Sequence, residues 1–379
     1  KSSTPWKDPE LSLTRQVDMG DGETFRWALE SQSTSPSDSI ATDAIDDSFG
    51  EMRFEDQSNL RGLIHTCAIS QLESESSIAI YQSNAGAAGV IDFDLDGWPD
   101  VYLTMIDGQP LKNNSSPNRL FRNLSGQFAD VTIGSSVGDR GFSQGIAVGD
   151  YNADGFADLW VANIGRNQLY RNNGDGSFSD VTDEVGFSDQ QWTTSVAIAD
   201  FDGDSIADLF EVQYCAGDQA YSQQCIDSEL GEPRSCSPLV FAAELDRVWK
   251  GQPNGSFSDV STDWLVDQKP GHGLGLVVGR IDDQVGLDVY VANDMTANQF
   301  WSSQSTDNSH RFSEQAAIRG LAVNSRSQSQ ASMGMALGDA DGDGDLDLFL
   351  THFTDDYDTL YEQVAPGAWF DKSSTVGLD

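Results

Sequence analysis

The chain has 379 residues and carries 61 acidic side chains against 21 lysines and arginines, a formal net charge of −40 at pH 7. Such a surface repels polyanions, so nucleic acid and anionic membrane surfaces are poor partners for it. No apolar run reaches the roughly 18 residues of a membrane span, so no transmembrane segment is predicted. The self-repulsion indicates that cations are bound at specific places, and divalent ions are the obvious candidates.

Residues 1–50 show little apolar periodicity, and SQSTSPSDS at 31–39 has the composition of a flexible, solvated linker. We therefore predict a flexible N-terminal arm or linker over 1–50. The remainder, 51–379, is predicted to form one β-rich domain, because a single pattern recurs through it.

The recurring pattern is an acidic motif of nine residues. It reads DFDLDGWPD at 92–100, DYNADGFAD at 150–158, DFDGDSIAD at 200–208 and DADGDGDLD at 339–347, with a degenerate copy, RIDDQVGLD, at 280–288. A small apolar stretch precedes each copy and a β-branched or aromatic run follows it, so each repeat is predicted to contain four short strands. A period of roughly 50 to 80 residues predicts an all-β propeller with four-stranded blades, of which five are plain.

The spacing within the motif predicts a metal site. Oxygen side chains at positions 1, 3, 5 and 9 converge when the chain wraps around a point, and this donor set suits calcium best. An EF-hand would need flanking helices and a glutamate at position 12, where these copies have Leu103, Val161, Glu211 and Leu350. Turn-forming aspartate and glycine explain one copy, but not four in the same register. About four calcium ions are expected, and the predicted ligands are Asp92, Asp94, Asp96 and Asp100; Asp150, Asn152, Asp154 and Asp158; Asp200, Asp202, Asp204 and Asp208; and Asp339, Asp341, Asp343 and Asp347.

The degenerate copy at 280–288 is predicted to hold no metal. Arg280 replaces the first aspartate and Gln284 replaces the third ligand. We expect Arg280 to supply internally the positive charge that an ion supplies elsewhere, with Asp282 as its partner.

Residues 211–250 interrupt the third repeat and contain three of the four cysteines, Cys215, Cys225 and Cys236, while Cys67 stands apart. Their spacing fits no zinc motif, so disulfide formation is expected, with buried free thiols as the alternative. Long insertions between blade strands often carry binding function, so this segment is a candidate interaction site. The alternative is a disulfide-pinned lid without a partner.

Two stretches carry a family resemblance: GIAVGDYNADGFADLWVANIGRNQLYRNNGDGSFSDVTDEVGF at 145–187 and MGMALGDADGDGDLDLFLTHF at 333–353. They resemble FG-GAP/VCBS repeats, and most closely the propeller part of the ASPIC/UnbV family, which includes cartilage acidic protein. The resemblance implies an extracellular, calcium-loaded β-propeller of the integrin-α-like type. Such relatives commonly have seven blades, so five to seven are expected, and RFEDQSNLRGL at 53–63 resembles an additional last strand that closes the ring.

The leading functional hypothesis is a secreted or cell-surface binding or adhesion module, stabilised by calcium, that recognises a protein or glycan. One alternative is a self-assembling extracellular structural subunit, and another is an enzyme that uses the propeller channel. The sequence contains no serine elbow, P-loop or HExxH motif. The four histidines, His65, His272, His310 and His352, are therefore predicted to be structural, and a non-enzymatic function is favoured.

Overall fold

The computed structural model describes residues 54–69, 78–187, 190–227, 231–282, 284–304, 310–354 and 356–378, and the backbone of two strands nearer the N-terminus. These two strands, β1 (Leu13–Asp18) and β2 (Thr24–Leu29), pair antiparallel within the predicted N-terminal arm. The flexibility of that arm stays a prediction. None of the helices in the described part of the chain has the length and apolar character needed to span a membrane.

The described residues of the main domain form five antiparallel units of four strands each, and strand pairing joins the second and third units into one eight-stranded sheet. In every unit the strands pair in the order in which they occur along the chain, as the repeat predicts. Units 1 and 2 contain β3 (Ala88–Ile91), β4 (Asp100–Leu103), β5 (Arg119–Leu124) and β6 (Gln127–Asp130); and β7 (Ser143–Gly149), β8 (Asp158–Arg166), β9 (Gln168–Asn172) and β10 (Phe178–Asp180).

Unit 3 is interrupted between its second and third strands by a segment with four two-residue strands. In chain order, the elements from unit 3 onward are β11 (Gln190–Ala199), β12 (Asp208–Gln213), the inserted β13 (Cys215–Ala216), β14 (Cys225–Ile226), β15 (Pro233–Arg234) and β16 (Ala242–Ala243), then β17 (Arg247–Gly251) and β18 (Phe257–Asp259). Unit 4 contains β19 (Gly273–Gly279), β20 (Asp288–Asn293), β21 (Gln299–Ser303) and β22 (Phe312–Glu314). Unit 5 contains β23 (Ser332–Gly338), β24 (Asp347–His352), β25 (Thr359–Ala365) and β26 (Ala368–Asp371).

The α-helices are single turns. One, α1 (Ser58–Arg61), precedes unit 1, and one follows the last strand of each unit: α2 (Thr132–Ser135), α3 (Thr182–Val185), α4 (Ser261–Trp264), α5 (Ala316–Arg319) and α6 (Ser373–Val376). Three 3₁₀ turns lie at Ile80–Ser83, Asp218–Tyr221 and Pro238–Val240.

The predicted additional strand at 53–63 is wrong, because the described residues 54–63 form no strand. Residues 58–61 form α1, in which the backbone N–H of Arg61 donates to the carbonyl of Gln57 at 2.8 Å. Asp56 accepts a hydrogen bond from the N–H of Ser58 at 2.9 Å, and Gly62 ends the turn with a φ of 79°. An aspartate ahead of the first turn and a glycine after it favour a helical turn over an extended strand.

Successive units share buried apolar clusters, which curl the sheets into a β-propeller-like array. The second residue after the start of each second strand is aromatic, and in units 1 to 4 it shares a cluster with the second strand of the following unit. Those four residues, Tyr102, Trp160, Phe210 and Tyr290, are completely buried. The equivalent residue of unit 5, Phe349, is only half-buried. The first and last units of the described array therefore each present one face without a neighbouring unit.

The inserted segment spans 214–246, because β12 extends to Gln213 and β17 begins at Arg247. Cys225 and Cys236 form a disulfide, as the cysteine clustering predicted, whereas Cys215 is a buried free thiol and Cys67 an exposed one. The segment packs on the array: the rings of Tyr214 and Trp192 lie 5.0 Å apart within one buried cluster.

Candidate metal sites

The five acidic loops connect the first and second strands of their units, so they occupy equivalent places in the array. The ninth residue of each loop is a buried aspartate that begins the second strand. In unit 2, Asp158 accepts hydrogen bonds from the N–H of Tyr151 at 3.1 Å and from the N–H of Asn172 on the third strand at 2.7 Å. The equivalent aspartates Asp100, Asp208, Asp288 and Asp347 accept the same pair of bonds. This residue therefore fastens the loop to the third strand.

Burial changes the protonation of these aspartates. Desolvation raises the pKa of Asp158 and that of Asp208 to about 7, although the backbone N–H groups that they accept oppose the rise. Burial also raises the pKa of Asp288 to about 6. A cation bound nearby would favour the charged form of such a carboxyl group.

The first residue of each intact loop organises the turn. Asp150 accepts from the N–H of Asp154 at 3.1 Å and from that of Gly155 at 2.8 Å, and Asp92, Asp200 and Asp339 accept comparable pairs. The chain turns back on itself through left-handed backbone at positions 4 and 6, with φ of 58° at Ala153 and 92° at Gly155. This wrapping aims the side chains at positions 1, 3 and 5 at a common region.

Three loops bring carboxylate oxygens within 4.8 Å of one another. The triads are Asp92, Asp94 and Asp96; Asp200, Asp202 and Asp208; and Asp339, Asp341 and Asp347. The other predicted ligands of these loops, Asp100, Asp204 and Asp343, lie in the same loops but outside the triads. In the loop at 150–158, Asn152 instead donates its amide to Asp154 at 2.9 Å.

The donor set fits a calcium ion. It consists of hard carboxylate and amide oxygens on a loop with room for a high coordination number. In the first loop, Asp94 Oδ1 is buried and has no hydrogen-bond partner among the described residues. A buried carboxylate oxygen without a partner is costly, and a metal ion would satisfy it. Metal coordination by all sixteen predicted ligands stays a prediction.

Basic side chains also contact these carboxylates. Arg122 Nη2 lies 2.5 Å from Asp94 Oδ2 and 3.1 Å from Asp96 Oδ2. In unit 3, Lys250 Nζ contacts Asp202 and lies 2.6 Å from Asp204 Oδ2. The spacing of the acidic residues does not indicate either cation, although both occupy the same place on the third strand of their units.

The predicted partner of Asp282 in the degenerate loop is wrong. Its carboxylate pairs with Arg319 of α5, at 2.7 Å, and accepts a hydrogen bond from Ser302 at 3.0 Å. Arg280 is exposed. The positive charge is supplied internally, as expected, but by an arginine from the helix at the end of the unit.

Three of the described histidines lie in separate packing environments. His310 packs between Trp264 and Phe312, with ring centroids 4.4 Å and 4.8 Å away, and its burial lowers its pKa to about 4. His272 Nε2 lies 3.3 Å from the carbonyl of Phe241. His352 Nε2 lies 3.3 Å from the hydroxyl of Ser332, which is completely buried. These surroundings agree with structural roles.

Two of the solved structures that match the chain do so with low similarity. One is an Agrocybe aegerita lectin solved for its specific recognition of non-reducing terminal N-acetylglucosamine; it is 12% identical, with a TM-score of 0.39, over 75% of this chain and 64% of the lectin chain. The other is rhamnogalacturonan lyase YesW, 17% identical with a TM-score of 0.34, over 75% of this chain and 46% of that chain. The chain thus spans less than two thirds of either, and at these scores neither ligand nor activity follows.

The sequence itself matches a repeat family. None of the curated proteins compared with the chain matches it significantly. Residues 92–161 and 150–210 each match the FG-GAP-like repeat, and these stretches contain the loops at 92–100, 150–158 and 200–208. The chain therefore carries FG-GAP-like repeats, arranged as four-stranded units of a β-propeller-like fold.

Proposed function

We propose that the chain is an extracellular binding or adhesion module whose β-propeller-like fold is stabilised by calcium and which recognises a protein or a glycan. The observation that carries this proposal is the recurrence of convergent carboxylates in equivalent loops of repeated units. The closer relation to the propeller part of the ASPIC/UnbV family and a ring of up to seven blades belong to the same proposal. They rest on the sequence stretches at 145–187 and 333–353.

Calcium would be held by the oxygens at positions 1, 3, 5 and 9 of the four intact loops. The ion supplies positive charge to a chain with a formal net charge of −40. The residues of the chain supply the geometry, because the first aspartate organises the turn and the ninth fastens it to the third strand. The arrangement provides stability and shape and requires no chemical reaction.

The partner is expected to bind at the inserted segment 214–246. Several large apolar side chains on it are exposed, including Ile226 at 67% and Leu239 at 55%. Insertions between the strands of a rigid scaffold often carry binding function, and apolar side chains on such a segment can act as anchors for a partner. The disulfide also favours an oxidising compartment, which supports the extracellular location.

A binding experiment tests this function. The chain is applied to a glycan array and to a panel of purified basic extracellular proteins, with calcium and then with a chelator. Binding should occur only with calcium and should fall at least about tenfold in an Ile226→Ser/Leu239→Ser variant, since buried apolar anchors contribute a few kcal/mol. The matched control Ile133→Ser/Ile318→Ser changes two exposed residues on α2 and α5. Absence of calcium-dependent binding to every probe contradicts the proposal.

The self-assembling subunit remains a second candidate, because the two ends of the described array are complementary. Unit 5 presents the half-buried Phe349, and unit 1 presents the half-buried Val101 and Leu103. In units 2 to 5, the residue equivalent to Val101 is buried in one cluster with the aromatic residue of the preceding unit. Light scattering should then show assemblies that Phe349→Ser dissolves. A wild-type chain that stays monomeric in calcium at high concentration contradicts assembly.

A further inference from the structure

One register position on the third strand repeats in all five units, and we call it the strand-three position. In each unit, the first apolar residue of the second strand pairs with a residue of the third strand, and the strand-three position is the next residue along the third strand. In unit 1, Val101 pairs with Phe121, so the strand-three position is Arg122. The side chains there are Arg122, Arg171, Lys250, Ser302 and Glu362. The position thus carries a cation in units 1 to 3, a hydroxyl in unit 4 and a carboxylate in unit 5.

In two units the cation at this position contacts predicted metal ligands. Arg122 bridges Asp94 and Asp96, and Lys250 bridges Asp202 and Asp204. These aspartates are the third and fifth residues of their loops. A basic side chain at these oxygens occupies lone pairs that a metal ion would use, and two cations in one cluster repel each other.

In unit 4, side chains of the protein contact the loop carboxylate in place of a metal ion. Asp282 is almost completely buried, and its carboxylate is satisfied by Arg319 and by Ser302 at the strand-three position. Two loop ligands are absent there. A protein cation is therefore compatible with the folded loop and can take the charge-balancing role of an ion.

Unit 5 shows the opposite arrangement. Its strand-three position carries Glu362, which forms an ion pair with Lys372 at 3.2 Å. The strand-three position beside the triad of Asp339, Asp341 and Asp347 therefore carries no competing cation, whereas units 1 and 3 have one there. A cluster of carboxylates that no protein cation contacts at this position keeps its oxygen lone pairs for a divalent cation.

We propose that the strand-three position sets the calcium affinity of each loop. The inference rests on the proposed binding of calcium by the loops. The loop at 339–347 fills at the lowest calcium concentration, and the loops at 92–100 and 200–208 fill only where calcium displaces Arg122 and Lys250. Calcium then binds in at least two affinity classes, and partial loading is a defined state of the molecule.

Calorimetric titration of the full chain with calcium tests the proposal. Lys250→Met and Arg122→Met should each tighten one weak site by about tenfold, since removing a unit charge next to a divalent ion changes the binding free energy by about 1.4 kcal/mol. Matched controls Lys112→Met and Arg234→Met remove the same charges away from the loops, where the two side chains contact Gln109 and Asp227. These controls should leave every site within about twofold of wild type.

The converse substitution gives an independent readout. Glu362→Lys should weaken the tightest site by at least about tenfold, and Glu362→Gln should have a smaller effect in the same direction. Terbium luminescence excited through tryptophan reports the same order of filling. Lys250→Arg keeps the positive charge and should retain the calcium dissociation constants of the wild type. This variant shows whether a change of packing at residue 250 explains the effect of Lys250→Met.

The outcomes separate the two proposals. If the wild type binds calcium but Lys250→Met and Glu362→Lys leave all calcium dissociation constants unchanged, the inference is wrong and the proposed binding of calcium by the loops is retained. Equal tightening by Lys112→Met also overturns it, because net charge would then explain the effect. If the wild type binds no calcium, the proposed function and the inference fail together.

Discussion

At the scale of single residues, the start of the third strand shows the same bond made by two different side chains. Asn118, Asn167 and Asn298 each accept a hydrogen bond, at 2.7 to 2.8 Å, from the backbone N–H of the fifth residue after the aspartate that begins the second strand. In unit 3 the acceptor is Asp246, which receives the N–H of Gln213 at 2.9 Å and is buried. Burial raises the pKa of Asp246 to about 7.

Asp246→Asn should therefore remove a pH-dependent loss of stability. The folded pKa lies above the ordinary value of 3.8, so the stabilisation from the protonated acid is present below pH 3.8 and is lost as the pH rises to about 7. An asparagine accepts the same bond without ionising. At pH 8 and constant calcium, the variant should be more stable than wild type by up to about 4 kcal/mol, and the difference should shrink toward pH 4.

Denaturant unfolding between pH 4 and pH 8 measures this difference. The exposed Asp218→Asn serves as the control and should follow the wild-type curve. A stability difference between Asp246→Asn and wild type that does not vary with pH would show that the folded protein does not hold Asp246 protonated.

Residue spacing predicted the ligand sets but not the counter-ions. The ligands of one loop lie within nine residues, so the chain order of Asp92, Asp94 and Asp96 is enough to indicate that they converge. Arg319 reaches Asp282 from a helix at the far end of the unit. Only the three-dimensional path brings these two side chains together, so Arg280, the nearer arginine in sequence, was the wrong partner.

At the scale of elements, a repeated hydroxyl fastens the end of each unit. In unit 2, the Thr182 hydroxyl donates to Asp180 Oδ1 at 2.6 Å and accepts from the N–H of Leu169 on the third strand at 2.9 Å. Thr132, Ser261 and Ser373 make the same pair of bonds. In unit 4, the single carboxylate of Glu314 accepts from both Phe300 and Ala316. The one-turn helix that follows each unit begins at this fastening point.

Thr182→Val should destabilise the fold by about 1 to 3 kcal/mol, since it leaves a buried N–H of Leu169 without its acceptor and keeps nearly the same volume. Thr182→Ser keeps the hydroxyl and repeats the residue found in units 3 and 5, so it should cost less than about 1 kcal/mol. Urea unfolding at constant calcium measures both. Equal effects of valine and serine would assign the loss to packing instead of hydrogen bonding.

The strands of each unit followed from the sequence, whereas the one-turn helices did not. Alternating apolar residues next to the acidic loops are enough to indicate strands. A helix of four residues has no apolar period, and its position depends on bonds to a neighbouring strand. Residues 53–63 show the same limitation, because Asp56 and Gly62 decide the turn at Ser58–Arg61.

At the scale of the whole molecule, the inserted segment is part of the core. The sequence left a pinned lid or a binding segment as alternatives, and the structure adds that Tyr214, Cys215 and Ala220 share a buried cluster with Tyr81 and Phe142. The insertion of the third unit thus packs against residues that precede the first and second units. Substitutions at exposed residues such as Ile226 test its binding function without opening this cluster.

Removal of calcium should lower the stability of the entire array. Fifteen of the sixteen predicted ligands are aspartates, so an empty set of loops leaves like charges close together. One ion that binds only the folded chain contributes about 2.7 kcal/mol at one hundred times its dissociation constant, and four ions together approach the net stability of a typical domain. We therefore expect the melting temperature to fall by more than about 10 °C when a strong chelator replaces millimolar calcium.

Scanning calorimetry with calcium, with chelator, and with calcium restored after chelation measures this effect. Magnesium at the same concentration is the matched control, and it should restore little stability because it demands octahedral geometry and dehydrates reluctantly. Asp282→Asn should leave the calcium-dependent shift unchanged, since Arg319 already balances that loop. The acidic loops occupy equivalent places in every unit. Loss of calcium should therefore weaken all the units together and lower the temperature of a single unfolding transition. A melting temperature that changes by only a degree or two on chelation would mean that the cations of the protein, such as Arg122 and Lys250, balance the loops by themselves.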